Sequence, residues 1–255
     1  MATSKSPNGM DMANCVANVR AARPHVHCIT NSVAQHFTAN VLLAAGLTPS
    51  MTIAADEVAS FVKMADALLI NLGTMDAERA RAIDLALDAA GEAEKPWALD
   101  PVFVQASPAR LNLARQLLNR GPTIVRCNAG EGAALFGDDF AADLNQCASR
   151  AGTIIALTGK TDVIADANRL ITLSNGARTM DRITAMGCAL NALMAGFAAV
   201  EPDPLLAASS AIALFTIAGE RSETQSAGPG TFVPVFLDAL ARLGEETLAN
   251  KVNLS

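Results

Sequence analysis

The chain has 255 residues, 51% hydrophobic and 17% charged, enough to bury one large core, and no segment reads as a linker between domains. Net charge is −6, the basic residues are scattered singly, and nine Phe, one Trp and no Tyr supply few stacking surfaces; this excludes a nucleic-acid interface, which needs clustered cations or aromatic platforms. The five cysteines, Cys15, Cys28, Cys127, Cys147 and Cys188, contain no C-x-x-C pair, so neither a zinc knuckle nor a disulfide framework is indicated.

The first ten or so residues are expected to be disordered. MATSKSPNGMDM lacks the apolar stretch of a secretory signal, which makes the cytoplasm the expected compartment. Asp11 to Ala22 reads as a short amphipathic helix and His25 to Thr30 as a strand. Asn31 and Ser32 are N-cap candidates for a helix from Val33 to Ala45, with Gly46 as its stop. Thr48 to Ile53 is a short strand, and Ala55-Asp56-Glu57 opens another helix. Ala67 to Leu72 is a nearly unbroken apolar run, the mark of a strand covered on both faces. A helix from Asp76 to Ala90 follows, with Arg79, Arg81, Asp84 and Asp88 spaced as a solvated face.

The alternation continues: strand Trp97 to Val102, helix Pro108 to Leu118, strand Thr123 to Cys127, helix Phe140 to Arg150, strands Thr153 to Leu157 and Asp162 to Ala167. Asn175-Gly176, between Leu170–Ser174 and Arg178–Met180, is a hairpin signal. Helices then dominate: Cys188 to Val200, Leu205 to Arg221 and Val233 to Leu243. No internal repeat is evident. The pattern predicts one doubly wound, mostly parallel α/β domain with helices on both faces. Ile183 to Val200 is uncharged, but its Thr184, Asn191 and glycines favour a helix buried in a core over a membrane span.

In open α/β sheets ligands bind beyond the carboxyl ends of the strands. Thr30-Asn31, Asn71, Asp100, Arg126 to Asn128, Glu131 and Thr158 stand at predicted strand ends and are expected to converge on one rim. The Cys188 helix is expected to begin there after the turn Ala185-Met186-Gly187, its unpaired amides able to hold an anion and to lower the thiol's pKa. A packed core thiol is the alternative for Cys188.

The segments His27 to Val33, Phe37 to Asn40, Pro49 to Met51, Asn71 to Thr74, Leu99 to Val102, Asn128 to Glu131, Leu157 to Gly159, Thr184 to Cys188 and Gly228 to Phe232 fall in the order found in a known family. Over nearly its whole length the chain resembles the hydroxyethylthiazole kinases of thiamin salvage, which are ribokinase-like. The resemblance implies phosphorylation of the primary alcohol of 4-methyl-5-(2-hydroxyethyl)thiazole, with ATP and Mg²⁺. It also implies a homotrimer with active sites between subunits and no separate lid domain. Cys188 stands where related sugar kinases carry an Asp base, and is expected to receive or orient the substrate hydroxyl proton. Arg126 matches the family's nucleotide-binding Arg, and Thr158 its ATP-contacting Thr, against a plain strand-end role. The backbone around Gly187 is expected to help neutralise phosphate charge.

Asp100 and Glu131 are candidates for Mg²⁺, through water, with helix capping as the competing role for each. Met51 matches the thiazole-contacting Met, and Asn31, Val33 and Ala185 are expected to line the same pocket. Two departures bear on specificity: Ala185 and Phe103 stand where the family pattern has Gly. If Ala185 must be left-handed, the cost is about 1 kcal/mol. A kinase for another small heteroaromatic alcohol, a non-catalytic thiazole-binding protein and a cysteine-nucleophile hydrolase are the rival functions; the last lacks any His after Cys188. His25 and His27 share a strand face but find no third metal ligand, which favours hydrogen-bonded structural roles. Gly152 with Gly159-Lys160-Thr161 imitates a phosphate-binding loop, but the glycines stand too far apart and the residues between read as strand.

Overall fold

The computed structural model describes residues 6–254. Its eight-stranded sheet has the order β2-β1-β3-β4-β5-β6-β7-β8. The strands are β1 (His25–Ile29), β2 (Thr48–Ser50), β3 (Ala67–Asn71), β4 (Trp97–Asp100), β5 (Ile124–Cys127), β6 (Ile154–Leu157), β7 (Asp162–Ala165) and β8 (Leu170–Leu173). Strands β1 to β6 pair in parallel, and β7 and β8 run antiparallel at the edge. From β1 the chain winds outward to β2 and then back across to β3. This reversal is the topological switch point at which such sheets bind ligands.

The apolar runs are continuous because both faces of the sheet are covered. Val26, Cys28, Ala67, Leu69, Ala98 and Ile124 point into one core, while Ile29, Leu68, Ile70, Leu99 and Val125, one position out of phase, point into the other. Burying each such Val, Leu or Ile contributes roughly 1.5–3 kcal/mol. The first face packs against α1 (Gly9–Ala22), α2 (Gln35–Ala45), α8 (Met186–Ala198), α9 (Pro204–Gln225) and α10 (Pro229–Arg242), with α11 (Glu245–Lys251) behind them. The second is covered by α3 (Val58–Met64), α4 (Ala77–Glu92), α5 (Pro108–Leu118), α6 (Ala129–Phe136) and, toward β6, α7 (Leu144–Ala151). Helix α8 presses so closely on the sheet that a Cβ at Gly196 would lie 2.2 Å from Leu47 and 2.9 Å from Val26. The glycine thus fixes the depth of the helix that carries Cys188. No helix among the described residues is long and apolar enough to cross a membrane.

Several elements differ from the sequence expectation. Residues 1–5 lie outside the described part, but Asn8 to Met10 are not a disordered tail: Asn8 caps α1, accepting from Met10 and Asp11. Helix α2 starts at Gln35, not Val33, because Asn31 Oδ1 accepts the Ala34 N–H and holds 31–34 as a turn. Helix α6 falls where no element was expected; Asn128 and Glu131 form a capping box that starts it. Residues 140–143 form a 3-10 turn, so α7 begins only at Leu144. The hairpin is not at Asn175-Gly176, where Asn175 instead binds Glu220 and the backbone of Lys251 and Asn253. It joins β7 to β8, where Asp166 accepts the N–H groups of Asn168 and Arg169. Arg79 does not belong to a solvated face; it is buried, with Nη1 on the Thr74 carbonyl at 3.1 Å.

Candidate active site

The polar ends of β1, β3, β4 and β5 form one connected chain beneath the start of α8. Asn31 Nδ2 donates to Asn71 Oδ1 at 3.1 Å and lies 3.5 Å from Cys188 Sγ. Asn71 Nδ2 donates to Asp100 Oδ2 at 2.7 Å, and Asn71 Oδ1 also accepts the Gly73 N–H. Arg126 Nη1 stands 4.0 Å from Asp100 Oδ1. These contacts follow from register: Asn71 sits opposite Asp100 in the β3–β4 pair, so the last residues of the two parallel strands meet. Asn71 was among the strand-end residues expected on the rim, yet it was not singled out; one polar residue closing an apolar run was its only signal. The structure makes it the hub.

Helix α8 has no side-chain cap, a feature it shares with α2, α3, α10 and α11; what sets its start apart is the backbone of the capping residue. Its N-cap, Ala185, is left-handed at φ 69°, the conformation in which Cβ crowds the backbone. Gly187 faces Arg126 so closely that a Cβ there would lie 2.5 Å from Nη1. A guanidinium and the positive end of a helix are therefore pressed together, an arrangement that favours an anion between or beside them.

Charge at the site departs from expectation in one respect. The Cys188 thiol is not acidified. Burial, seconded by the Asp100 carboxylate, pushes it up to about 12, and the Asn71 and Asn31 amides and Arg126 only partly oppose this. At neutral pH the group is a thiol, because loss of solvation outweighs the helix terminus. Burial also pushes Asp100 up to about 6, against Arg126 and its Asn71 bond, with Glu131 adding to the rise. Asp162, which accepts the Gly159 N–H at 3.0 Å, is pushed up to about 6 by burial as well, and was not anticipated.

Glu131 is 3% exposed and does what a cap does: Oε2 accepts the Asn128 N–H at 2.9 Å and Oε1 the Phe103 N–H at 3.0 Å. Phe103 is itself left-handed, at φ 55°, and 62% exposed. Thr158 lies at the end of β6, its hydroxyl 3.5 Å from the Cys127 carbonyl, apart from the Asn–Asp chain. Met51 is half-buried against the core on the α8 face of the sheet. Val33 stands 66% exposed in the turn after β1. The rim thus joins Asn31, Asp100, Arg126, Gly187 and Cys188. Two concavities, of about 230 and 300 Å³, lie elsewhere, by Trp97 and Thr123 and by Pro7 and Leu170.

The donor set suits a hydrated divalent ion with phosphates. Among the described residues no three His, Cys, Asp or Glu side chains cluster as a protein cage for a metal. Mg²⁺ needs only one or two carboxylates beside water and phosphate oxygens. Asp100 Oδ1 is buried without a hydrogen-bond partner, as is Arg126 Nε, so both sides of the site keep unused capacity.

Comparison with known proteins places nearly the whole chain in one family. The model of the hydroxyethylthiazole kinase family matches residues 16–246. A probable hydroxyethylthiazole kinase of Agrobacterium fabrum is 42% identical over 97% of this chain and 96% of its own length. A hydroxyethylthiazole kinase of Granulibacter bethesdensis is 46% identical over 90% of this chain and 89% of its own. The solved hydroxyethylthiazole kinase structure from Pyrococcus horikoshii superposes with a TM-score of 0.90 at 34% identity, over 96% of this chain and 98% of that one. A Staphylococcus aureus pyridoxal kinase, 16% identical over 91% of this chain and 97% of that one, shares the ribokinase-like fold with a TM-score of 0.65. The family model, the identity to these relatives over nearly the whole chain and the superposition agree, and the chain belongs to the hydroxyethylthiazole kinase family.

Proposed function

We propose that this chain is a single-domain, cytoplasmic kinase that transfers the terminal phosphoryl group of ATP to the primary hydroxyl of 4-methyl-5-(2-hydroxyethyl)thiazole, in thiamin salvage. The observation that carries the reading is the guanidinium of Arg126 set against the uncapped start of α8, with Asp100 and Cys188 alongside. Two positive features facing each other at a buried rim suit a phosphate that gathers charge during transfer. Arg126, with the backbone of Gly187, holds that phosphate. Thr158 meets the nucleotide from the end of β6.

Asp100 is the main protein group toward Mg²⁺, with Glu131 behind it through water; the ion, when bound, offsets phosphate charge. Met51, Asn31, Val33 and Ala185 line the acceptor pocket. Cys188, protonated at neutral pH, orients the acceptor hydroxyl instead of acting as a preformed thiolate. Phosphoryl transfer tolerates this, since its loose transition state asks more for alignment than for a strong base. The exposed Val33 and Phe103 support a homotrimer in which a second subunit completes each pocket.

Incubation with the thiazole alcohol, ATP and Mg²⁺, read by mass spectrometry, is expected to give the phosphate ester, and Cys188→Ser to slow it while leaving binding of an ATP analogue intact. Product from a different heteroaromatic alcohol only would shift the reading toward the pocket changes at Ala185 and Phe103. Absence of nucleotide binding by calorimetry would leave a thiazole carrier.

A further inference from the structure

The two histidines of β1 form a cluster with β2 that the phosphoryl-transfer site does not use. His25 Nε2 and His27 Nδ1 lie 2.7 and 2.8 Å from the Ser50 hydroxyl, and His27 Nε2 lies 3.0 Å from the Thr52 carbonyl. These contacts fix every proton in the cluster. A carbonyl only accepts, so His27 Nε2 carries the hydrogen; the neutral ring then accepts at Nδ1 from Ser50, whose oxygen accepts from His25 Nε2–H. His27 stays neutral because burial, with His25 adding, pushes it down to about 4, against its Thr52 bond and the charge of Glu57.

Position gives the cluster its meaning. The β1–β2 ladder stops at the His27–Ser50 pair, and residues 51–54 continue without regular structure. The His27 ring lies on the α3 face of the sheet, 5.9 Å from Phe61. Met51 packs into the core on the opposite face, the one that holds α8. Thr52 is held further by its own hydroxyl on Glu57. The two residues that flank Met51 are thus gripped from one side of the sheet while its side chain is presented on the other.

We propose that His27 is a positioning residue for the acceptor pocket: by binding the Ser50 hydroxyl and the Thr52 carbonyl it pins the residues on both sides of Met51 and holds that flexible thioether on the Cys188 face. The inference rests on the reading that Met51 meets the heteroaromatic ring. Methionine is unbranched and adaptable, so an unpinned Met51 must be ordered by the ligand, and the cost falls on acceptor binding alone.

The test is a titration of the intact enzyme with 4-methyl-5-(2-hydroxyethyl)thiazole, followed by the ¹³C-methyl resonance of Met51, assigned from Met51→Leu. In His27→Leu the acceptor concentration at half-shift, and KM for the acceptor, are expected to rise about tenfold, with KM for ATP nearly unmoved. His27→Gln keeps a donor toward the Thr52 carbonyl and is expected to restore most of the affinity. Ser50→Ala, a smaller change that serves if His27→Leu fails to fold, is expected to cost about threefold. A His27→Leu curve that overlays the parent, or equal losses of acceptor and ATP affinity, overturns the inference. A parent Met51 signal that ignores the acceptor removes Met51 from the pocket and His27's role with it. Failure to form product while Met51 still responds counts only against the kinase reading.

Discussion

Two Arg–Asp pairs show what separates scaffold from site in this molecule. At the sheet edge, Arg169 places Nη1 and Nη2 at 2.6 and 2.8 Å from the two Asp203 oxygens and Nε at 2.7 Å from Asp166. Every charged group there is paired, and Asp203 also caps α9, so the cluster ties the β7–β8 turn to the longest helix. Burial raises Asp203, but the Arg169 fork outweighs it and holds the carboxyl below its ordinary range. On the rim, Arg126 and Asp100 stand 4.0 Å apart, leaving Nε and Oδ1 without partners, and burial wins over the ion pair to push Asp100 up to about 6. Fully matched charges make a clamp; charges held just out of contact, with left-handed Phe103 and Ala185 nearby, make a site whose cost the rest of the fold sustains.

The sharpest way to break this contrast is to truncate each arginine. Arg126→Met is expected to lower kcat/KM by about a hundred- to a thousandfold, as loss of a charge stabiliser does, with little loss of stability. Arg169→Met is expected to do the reverse, costing about 2 kcal/mol in urea unfolding while specific activity well below the midpoint holds. A swap of these outcomes would refute the division.

Asp100→Asn sharpens it through pH. The folded carboxyl titrates near 6, above its ordinary 3.8, so between those values the folded state binds more protons than the unfolded one. Stability is therefore highest below that window, falls as pH rises through it and stays lower beyond. Asp100→Asn is expected to unfold later than the parent at pH 7, by about 1–2 kcal/mol, with the gain vanishing toward pH 4 and phosphoryl transfer largely lost. A less stable variant at pH 7 would mean that Arg126 compensates the carboxylate fully.

The smallest effect is expected from Ala185→Gly, which relieves a left-handed Cβ at the start of α8. A gain of about 0.5–1 kcal/mol in urea unfolding is expected, blunted by the greater freedom of glycine in the unfolded chain. A loss would show that the Ala185 methyl packs against something that matters.

Much of the architecture was legible in the chain. The unbroken apolar run at 67–72 needs cover on both faces, and strand–helix alternation leaves few topologies besides a doubly wound sheet. Strand-end polarity puts Asn31, Asp100 and Arg126 on a common rim, since side chains at the ends of parallel strands are neighbours, and the small-residue turn before Cys188 puts the start of its helix beside them. Where local signals competed with distant contacts, the reading failed. Asn175-Gly176 has hairpin chemistry, but Glu220 and the last turn of α11 claim Asn175. Arg79 has the spacing of a solvated residue, yet the loop carbonyl of Thr74 draws it inside.

The sequence by itself determined the fold class, the family and the residues from which a phosphate site is assembled, because periodicity, caps and motif order are local properties of the chain. Only the tertiary structure decided their state: that Cys188 is a protonated thiol, that Asn71 links three strands, and that Arg126 rests against Gly187. Each of those depends on desolvation and on distances between segments far apart in the chain, and burial is a property of the packed molecule alone.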